Sequence, residues 1–207
     1  MKKLLLLPLI AISFVATAQT TLIPDPVFEQ ELISLGYDNV IDGGVLTANI
    51  SSVDTLDIPL FSGISDLTGI EDFTALTYLA VPIGLLTNPI ISLDVTQNTA
   101  LTELYLSGVN SSQLTSIDIT QNTALEYFHC SSHQLTSLDV SQNTALIELR
   151  CGGSQLTSLD VSQNTALTEL NCRYNQLTSL DVTQNTALEF LRCDYNNLFC
   201  LNVLLIL

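Results

Sequence analysis

The segment His129-Cys130-Ser131-Ser132-His133 places two imidazoles and a thiol within five residues, a spacing at which such side chains can hold a metal ion or move a proton. Both histidines of the chain lie in it. A strand through Cys130 would turn His129 to the opposite side, and His133 falls in the following turn, so the three donors cannot converge. The expectation is a core thiol beside two surface histidines. A second candidate is the column Cys130, Cys151, Cys172 and Cys193, which recurs every 21 residues, with Cys200 apart. Thiols stacked in register about 4.8 Å apart do not easily reach the shorter Cβ separation of a disulfide, which favours free, buried thiols. A third is the column Asp94, Asp118, Asp139, Asp160 and Asp181, each in an Asp-Val or Asp-Ile context. Either a cation such as calcium bridges these carboxylates or each accepts N–H bonds in its own turn. An isolated column supplies few of the 6 to 8 oxygens calcium takes, so Asx-type turns account for it better, with Asn98, Asn122, Asn143, Asn164 and Asn185 as a parallel turn ladder.

No Gly-rich phosphate loop, nucleophile elbow or zinc-protease helix occurs. The chain therefore reads as a non-enzyme without metal or cofactor. Its five basic residues, Lys2, Lys3, Arg150, Arg173 and Arg192, stand against 21 acidic ones, a formal charge of −16, which disfavours binding to nucleic acid or an anionic membrane.

The elements that carry these columns are repeats. The segments QLTSLDVSQNTALIELRC, QLTSLDVSQNTALTELNC and QLTSLDVTQNTALEFLRC end at Cys151, Cys172 and Cys193. An earlier copy ends at Cys130, and looser ones end at Leu106 and Val81, so six units are visible. From Leu167 to Leu177 the spacing is LxxLxCxxNxL. In Leu170-Asn171-Cys172, strand alternation buries Leu170 and Cys172 and turns Asn171 outward. One coil cannot cover its own apolar side, and stacking gains about 1.5 to 3 kcal/mol per large side chain buried, against about 1 to 2 kcal/mol of backbone entropy per ordered residue. A coil of 21 residues leaves little room for a return helix, so the segment typified by TSLDVSQNTA should be extended structure and turns.

That spacing resembles the leucine-rich-repeat consensus with Cys in place of one Leu. Together with the segment IPDPVFEQELISLGYD and the N-terminal residues, the units look like internalin-like secreted leucine-rich-repeat proteins of flavobacterial type, over roughly residues 22 to 203. The expected fold is a solenoid of right-handed parallel β coils with an N-terminal helical cap. In that cap Asp25 would begin a helix, Phe28, Leu32 and Ile33 would form its apolar side, and Gly36 would end it. The resemblance implies adhesion or scaffolding without naming a partner.

Residues 1–18 read as an export signal: Lys2 and Lys3, the apolar run Leu4 to Val15, and Ala16-Thr17-Ala18. The run is too short to span a membrane, so a secreted or cell-surface product without membrane insertion is expected. Residues 19–66 form the cap and first turn, 67–203 the repeats, and 204–207 an apolar tail that reads as truncated. Asn202-Val203 falls at the Asp-Val position of a seventh unit.

Outward strand positions differ between units. One column holds Tyr78, Glu103, Tyr127, Glu148, Glu169 and Phe190; the next Ala80, Tyr105, His129, Arg150, Asn171 and Arg192; the third Pro82, Ser107, Ser131, Gly152, Arg173 and Asp194. Interfaces favour Tyr, Phe and Arg. The expected ligand-binding face is therefore Tyr105, Tyr127, His129, Glu148, Arg150, Glu169, Arg173, Phe190 and Arg192, with a protein partner expected and, as the alternative, a carbohydrate-binding or purely structural surface repeat. Against this stands a second reading in which the three Arg merely neutralise Glu148, Glu169 and Asp194.

Overall fold

The computed structural model describes residues 18–60, 62–84, 88–108, 112–131 and 133–202. Nearly all of the expected export signal, 1–17, and the end of the chain, 203–207, lie outside the described residues.

The described residues open with a cap that matches its sequence signals. Strand β1 (Thr20–Leu22) pairs antiparallel with β2 (Gly44–Leu46), and helix α1 (Pro26–Ser34) lies between them in sequence. Asp25 starts α1: its Oδ1 accepts the N–H groups of Val27 at 2.8 Å and Phe28 at 3.2 Å. Gly36 ends it at φ +84°, where Tyr37 N–H reaches back to the Leu32 carbonyl and Gly36 N–H to that of Ile33. Phe28 and Leu32 are fully buried while Ile33 is only half-buried. Two carboxylates fasten the cap. The other oxygen of Asp25 accepts from Ser65 N–H, the Ser65 hydroxyl and Asp66 N–H at 2.7 to 3.0 Å. Buried Glu29 gathers the N–H groups of Asp42, Gly43 and Gly44 on one oxygen at 2.8 to 3.0 Å. Burial pushes the Asp25 carboxyl up, but the bonds from Ser65, Val27 and Asp66 outweigh it and hold it below the usual value.

After the short helix α2 (Thr47–Ile50) come β3 (Thr55–Asp57), β4 (Tyr78–Ile83), β5 (Glu103–Gly108), β6 (Tyr127–His129), β7 (Glu148–Arg150), β8 (Glu169–Asn171), β9 (Ser179–Asp181), β10 (Phe190–Arg192) and β11 (Cys200–Asn202). Strands β3 to β8 and β10 form one seven-stranded sheet. Every pairing in it is parallel. The fold is thus a parallel β solenoid of about six coils built on a first turn. Its return side is turns and extended chain, as a 21-residue coil demands, with one 3-10 turn at Ile70–Asp72 and the small parallel pair β9–β11. Asn202 sits in register with Asp181, the position that the repeat assigns it.

The core is the stack of inward residues: Leu104, Phe128, Leu149 and Leu170 in one row, Leu106, Cys130, Cys151 and Cys172 in the next, all 0% exposed. All five cysteines are free thiols. Phe28 of the cap stacks on Phe73 with ring centroids 6.5 Å apart, joining cap and coils.

Two ladders of polar side chains run through this interior. Asn98, Asn122, Asn143, Asn164 and Asn185 sit in turns, as expected, and their side chains are buried. Each amide donates twice to the coil before it; Asn143 Nδ2, for example, reaches the carbonyls of Ile119 at 2.9 Å and Asn122 at 2.8 Å. The second ladder occupies the Asn position of LxCxxNxL. Asn175 Nδ2 donates to Cys151 and Cys172 carbonyls while its Oδ1 accepts Leu156 N–H, and Asn196 repeats the pattern one coil on.

His133 holds that same position, which corrects its expected place on the surface: it is 4% exposed. Its Nε2 lies 2.8 Å from the Leu106 carbonyl and its Nδ1 2.7 Å from the Ser112 hydroxyl. Because a carbonyl only accepts, Nε2 carries the hydrogen, leaving Nδ1 to accept from Ser112 in the neutral ring. The imidazole substitutes for an Asn amide, and burial lowers its proton affinity below the usual value.

Candidate binding face

The alternation of β4 to β8 and β10 sets three outward columns in register. Tyr78, Glu103, Tyr127, Glu148, Glu169 and Phe190 are successive partners in the first. Ala80, Tyr105, His129, Arg150, Asn171 and Arg192 are partners in the second, and Pro82 faces Ser107 in the third. Tyr105, Tyr127, His129, Glu148, Arg150, Glu169, Phe190 and Arg192 therefore share one side of the sheet. Arg173 continues the third column beyond β8. Gly152 stands next to Arg173 with no room for a side chain, since a Cβ would lie 3.0 Å from the Arg173 carbonyl oxygen and 3.2 Å from its Cγ.

The face carries a row of coupled side chains. The rings of Tyr78 and Tyr105 are 5.4 Å apart, and His129 meets Tyr105 edge-on at 4.6 Å. Tyr105 donates its hydroxyl to Glu103 at 2.8 Å, and burial together with that bond pushes its phenol well above the usual value. His129 Nε2 contacts Glu148 Oε1 at 2.7 Å; burial lowers this imidazole's proton affinity despite the carboxylate beside it. Arg150 Nε lies 2.5 Å from the same oxygen, an ion pair rather than an aligned hydrogen bond, and Arg150 Nη2 is 3.2 Å from Glu169. Arg150 thus lies between two carboxylates of adjacent coils, which fits the charge-balance reading for this residue. Arg173 keeps a looser contact, 3.8 Å to Asp194, and Arg192 has no salt bridge among the described residues. Phe190 and Arg192 stand exposed.

Two residues outside the expected face belong beside it. Tyr174 and Tyr195, 46% and 66% exposed, stack at 4.3 Å with an 11° tilt, and the Arg173 guanidinium lies 4.4 Å over the Tyr174 ring. Both have positive φ, +54° and +56°, the left-handed region that Gly153 occupies one coil earlier at +72°. Bulky residues rarely adopt it. The visible signal was positional: Gly153, Tyr174 and Tyr195 each fall two residues after a core Cys.

The other candidates resolve into structure. Each Asp of the expected column accepts the N–H two residues ahead at 2.9 Å: Asp94 from Thr96, Asp118 from Thr120, Asp139 from Ser141, Asp160 from Ser162 and Asp181 from Thr183. These turn bonds hold all five carboxyls below their usual value. Among the described residues, no group of three or more His, Cys, Asp or Glu could hold a metal ion.

Fold and face together define a leucine-rich-repeat solenoid protein. No family model and no curated protein matches the chain, but solved structures do. The functional domain of InlJ from Listeria monocytogenes, which includes a cysteine ladder, is 32% identical over 87% of this chain, with a TM-score of 0.51. The chain spans 49% of that one's length. Internalin C2 of the same organism is 17% identical, with a TM-score of 0.63 over 90% of this chain and 98% of that one. The ectodomain of the Arabidopsis thaliana receptor kinase GASSHO1/SCHENGEN3, solved in complex with CASPARIAN STRIP INTEGRITY FACTOR 2, is 23% identical, with a TM-score of 0.61 over 72% of this chain and 19% of that one. The chain thus shares the leucine-rich-repeat solenoid fold of these structures, two of which are internalins.

Proposed function

We propose that the chain is an exported, non-catalytic protein-binding module, an internalin-like secreted protein of flavobacterial type that acts in adhesion or as a scaffold outside the cell. The observation that carries this reading is the register of the outward columns, which gathers Tyr105, Tyr127, His129, Arg150 and Arg192 on one side of successive coils, with Arg173 beside them. Aromatic side chains on a sheet lose little conformational freedom on binding, and Arg adds several donors and a charge to the apolar area they present. Export is supported by Lys2-Lys3, the apolar run to Val15 and Ala16-Thr17-Ala18. No helix among the described residues is long and apolar enough to cross a membrane.

The test is affinity capture of proteins from the surroundings of the source cells, with the immobilised chain run beside Tyr127→Ala and Arg150→Ala baits and a Gln155→Ala control. A partner held by the face is retained by Gln155→Ala and lost by both face variants. Capture that is equal on all four baits refutes the face. A glycan reading draws support from the exposed Tyr174–Tyr195 stack, against which a sugar ring could lie; a glycan array with Tyr195→Ala as control decides it.

A further inference from the structure

The second outward column dips where it should be level. Its partners in order are Asp57, Ala80, Tyr105, His129 and Arg150, and Ala80 is much the smallest of them. Over Ala80 the face opens into a depression of about 610 Å³ lined by Asp57, Pro59, Leu60, Ala80, Pro82 and Tyr105. Ile58 and Val81, whose side chains are buried in the core, also border it, and Leu60 at its edge is 58% exposed. A volume of that size lies within the range of ligand pockets, and its lining is mostly apolar, with Asp57 at one rim and Ser107 at another.

The Asp57 rim is acidic, and the sequence around it supplies no basic residue to offset it. Residues 4–149 contain no Lys or Arg, yet they hold 16 of the 21 acidic residues; only Asp160, Glu169, Asp181, Glu189 and Asp194 come later. Exposed Asp57 lines the depression. One column over, burial pushes the Tyr78 phenol up, and the charges of Asp57 and Glu103 push it further. The face is therefore polarised along its length: all three arginines of the repeats stand at the Cys151 end, and the apolar depression lies at the cap end under uncompensated negative charge.

We infer that this depression seats one large aliphatic or aromatic side chain of a peptide segment whose flanking residues are Lys or Arg. The anchor would lie between Pro59, Pro82 and the Tyr105 ring, and its basic neighbours would face Asp57 and Glu103. An acidic segment is repelled by the same charges, and an uncharged apolar one leaves them unused. This inference rests on the protein-binding reading above and narrows it to one anchor site and one class of partner.

The experiment selects peptides from a phage-displayed library of random 12-residue sequences on the purified chain. Fluorescein-labelled copies of the enriched peptides are then titrated by anisotropy. The expected result is enrichment of a Leu, Ile, Phe, Tyr or Trp flanked by Lys or Arg. Filling the depression with Ala80→Trp, or independently with Ser107→Trp from its exposed rim, should weaken binding at least tenfold. Asp57→Lys should weaken it several-fold at low salt and less at 0.5 M salt, where exposed charges are screened. Unchanged melting temperatures show that the variants fold. The inference is overturned if enriched peptides lack basic residues or an apolar anchor, or if both Trp variants bind them as tightly as the original chain. Peptides that ignore the Trp variants but are lost with Tyr127→Ala or Arg150→Ala would overturn this anchor site and leave the binding face standing. Peptides indifferent to all of these changes would overturn both.

Discussion

Replacing Asn143 by Ala tests how the coils are held to one another. The side chain is 0% exposed, and its amide donates to the Ile119 carbonyl at 2.9 Å and the Asn122 carbonyl at 2.8 Å, both on the preceding coil. Neither carbonyl is orphaned by the change, because Ile119 O still accepts Asn122 N–H and Asn122 O still accepts Leu125 N–H. The cost is therefore near two net hydrogen bonds, about 2 kcal/mol, rather than the larger penalty of two wholly unpaired acceptors. Loss of Oδ1 costs nothing further, since that atom has no hydrogen-bond partner. With a urea slope near 2 kcal/mol per molar, the midpoint should fall by about 1 M at unchanged slope. Asn143→Asp keeps the shape but points a carboxylate at two carbonyls. It should destabilise more than Ala at pH 7 and recover as the pH falls, because a carboxyl whose folded proton affinity is raised adds its stability below its unfolded value and loses it as pH rises. A midpoint for Asn143→Ala within 0.2 M of the original, or an Asp variant as stable as the Ala one at pH 7, would refute the reasoning.

Three more expectations concern the second ladder and the thiols. Ser154 stands at the position of Asn175 and Asn196, and its buried hydroxyl has no hydrogen-bond partner; Ser154→Asn should restore the amide bonds and raise stability by about 1 kcal/mol, and a lower urea midpoint would show that the Gly152-Gly153 turn cannot accept the amide. His133 binds its proton less readily than in the unfolded chain, so its contribution is present above about pH 6.5 and is lost as the pH falls toward the depressed folded value. His133→Asn should flatten the fall in urea midpoint between pH 7 and 5, leaving a share from His129; an unchanged slope would count against the buried neutral ring. A thiol reagent at pH 8 should label exposed Cys200 first and Cys193 more slowly. Cys130, Cys151 and Cys172 should react only on unfolding, because burial pushes all three thiols up, that of Cys172 to about 12. Rapid labelling of all five would mean that the column is open.

The coils were legible because their causes are local and repeated: a period of 21 fixes the register, strand alternation assigns Cys130 to the core and Tyr127 and His129 to the face, and Asp25 and Gly36 delimit α1. What stayed hidden depends on relations between coils. Within its own five-residue cluster His133 looks like a surface turn residue; aligned on the Asn of LxCxxNxL it is a buried amide substitute. The Asn98 to Asn185 column lies in turns as its sequence suggests, but the acceptors of its amides lie on the preceding coil, which no single unit shows. The outward columns follow from strand alternation and share one side, yet the two carboxylate neighbours of Arg150 need the distances. The depression over Ala80 comes from side-chain volumes on three successive coils, and no single unit displays it.

The Asn143 ladder also bears on how such a chain lengthens. Asn164 reaches carbonyls 21 and 24 residues behind it, Asn185 does the same, and every donor looks backward to one neighbour only. Copying a 21-residue unit from the region after Asn122 in tandem therefore keeps these amide bonds and Asx turns in register at the junction. The near-identical units ending at Cys151, Cys172 and Cys193 are what such copying leaves behind. Growth by duplication costs nothing in internal bonding, and each added coil enlarges the outward face by three positions free to diverge, as Arg150, Asn171 and Arg192 have done.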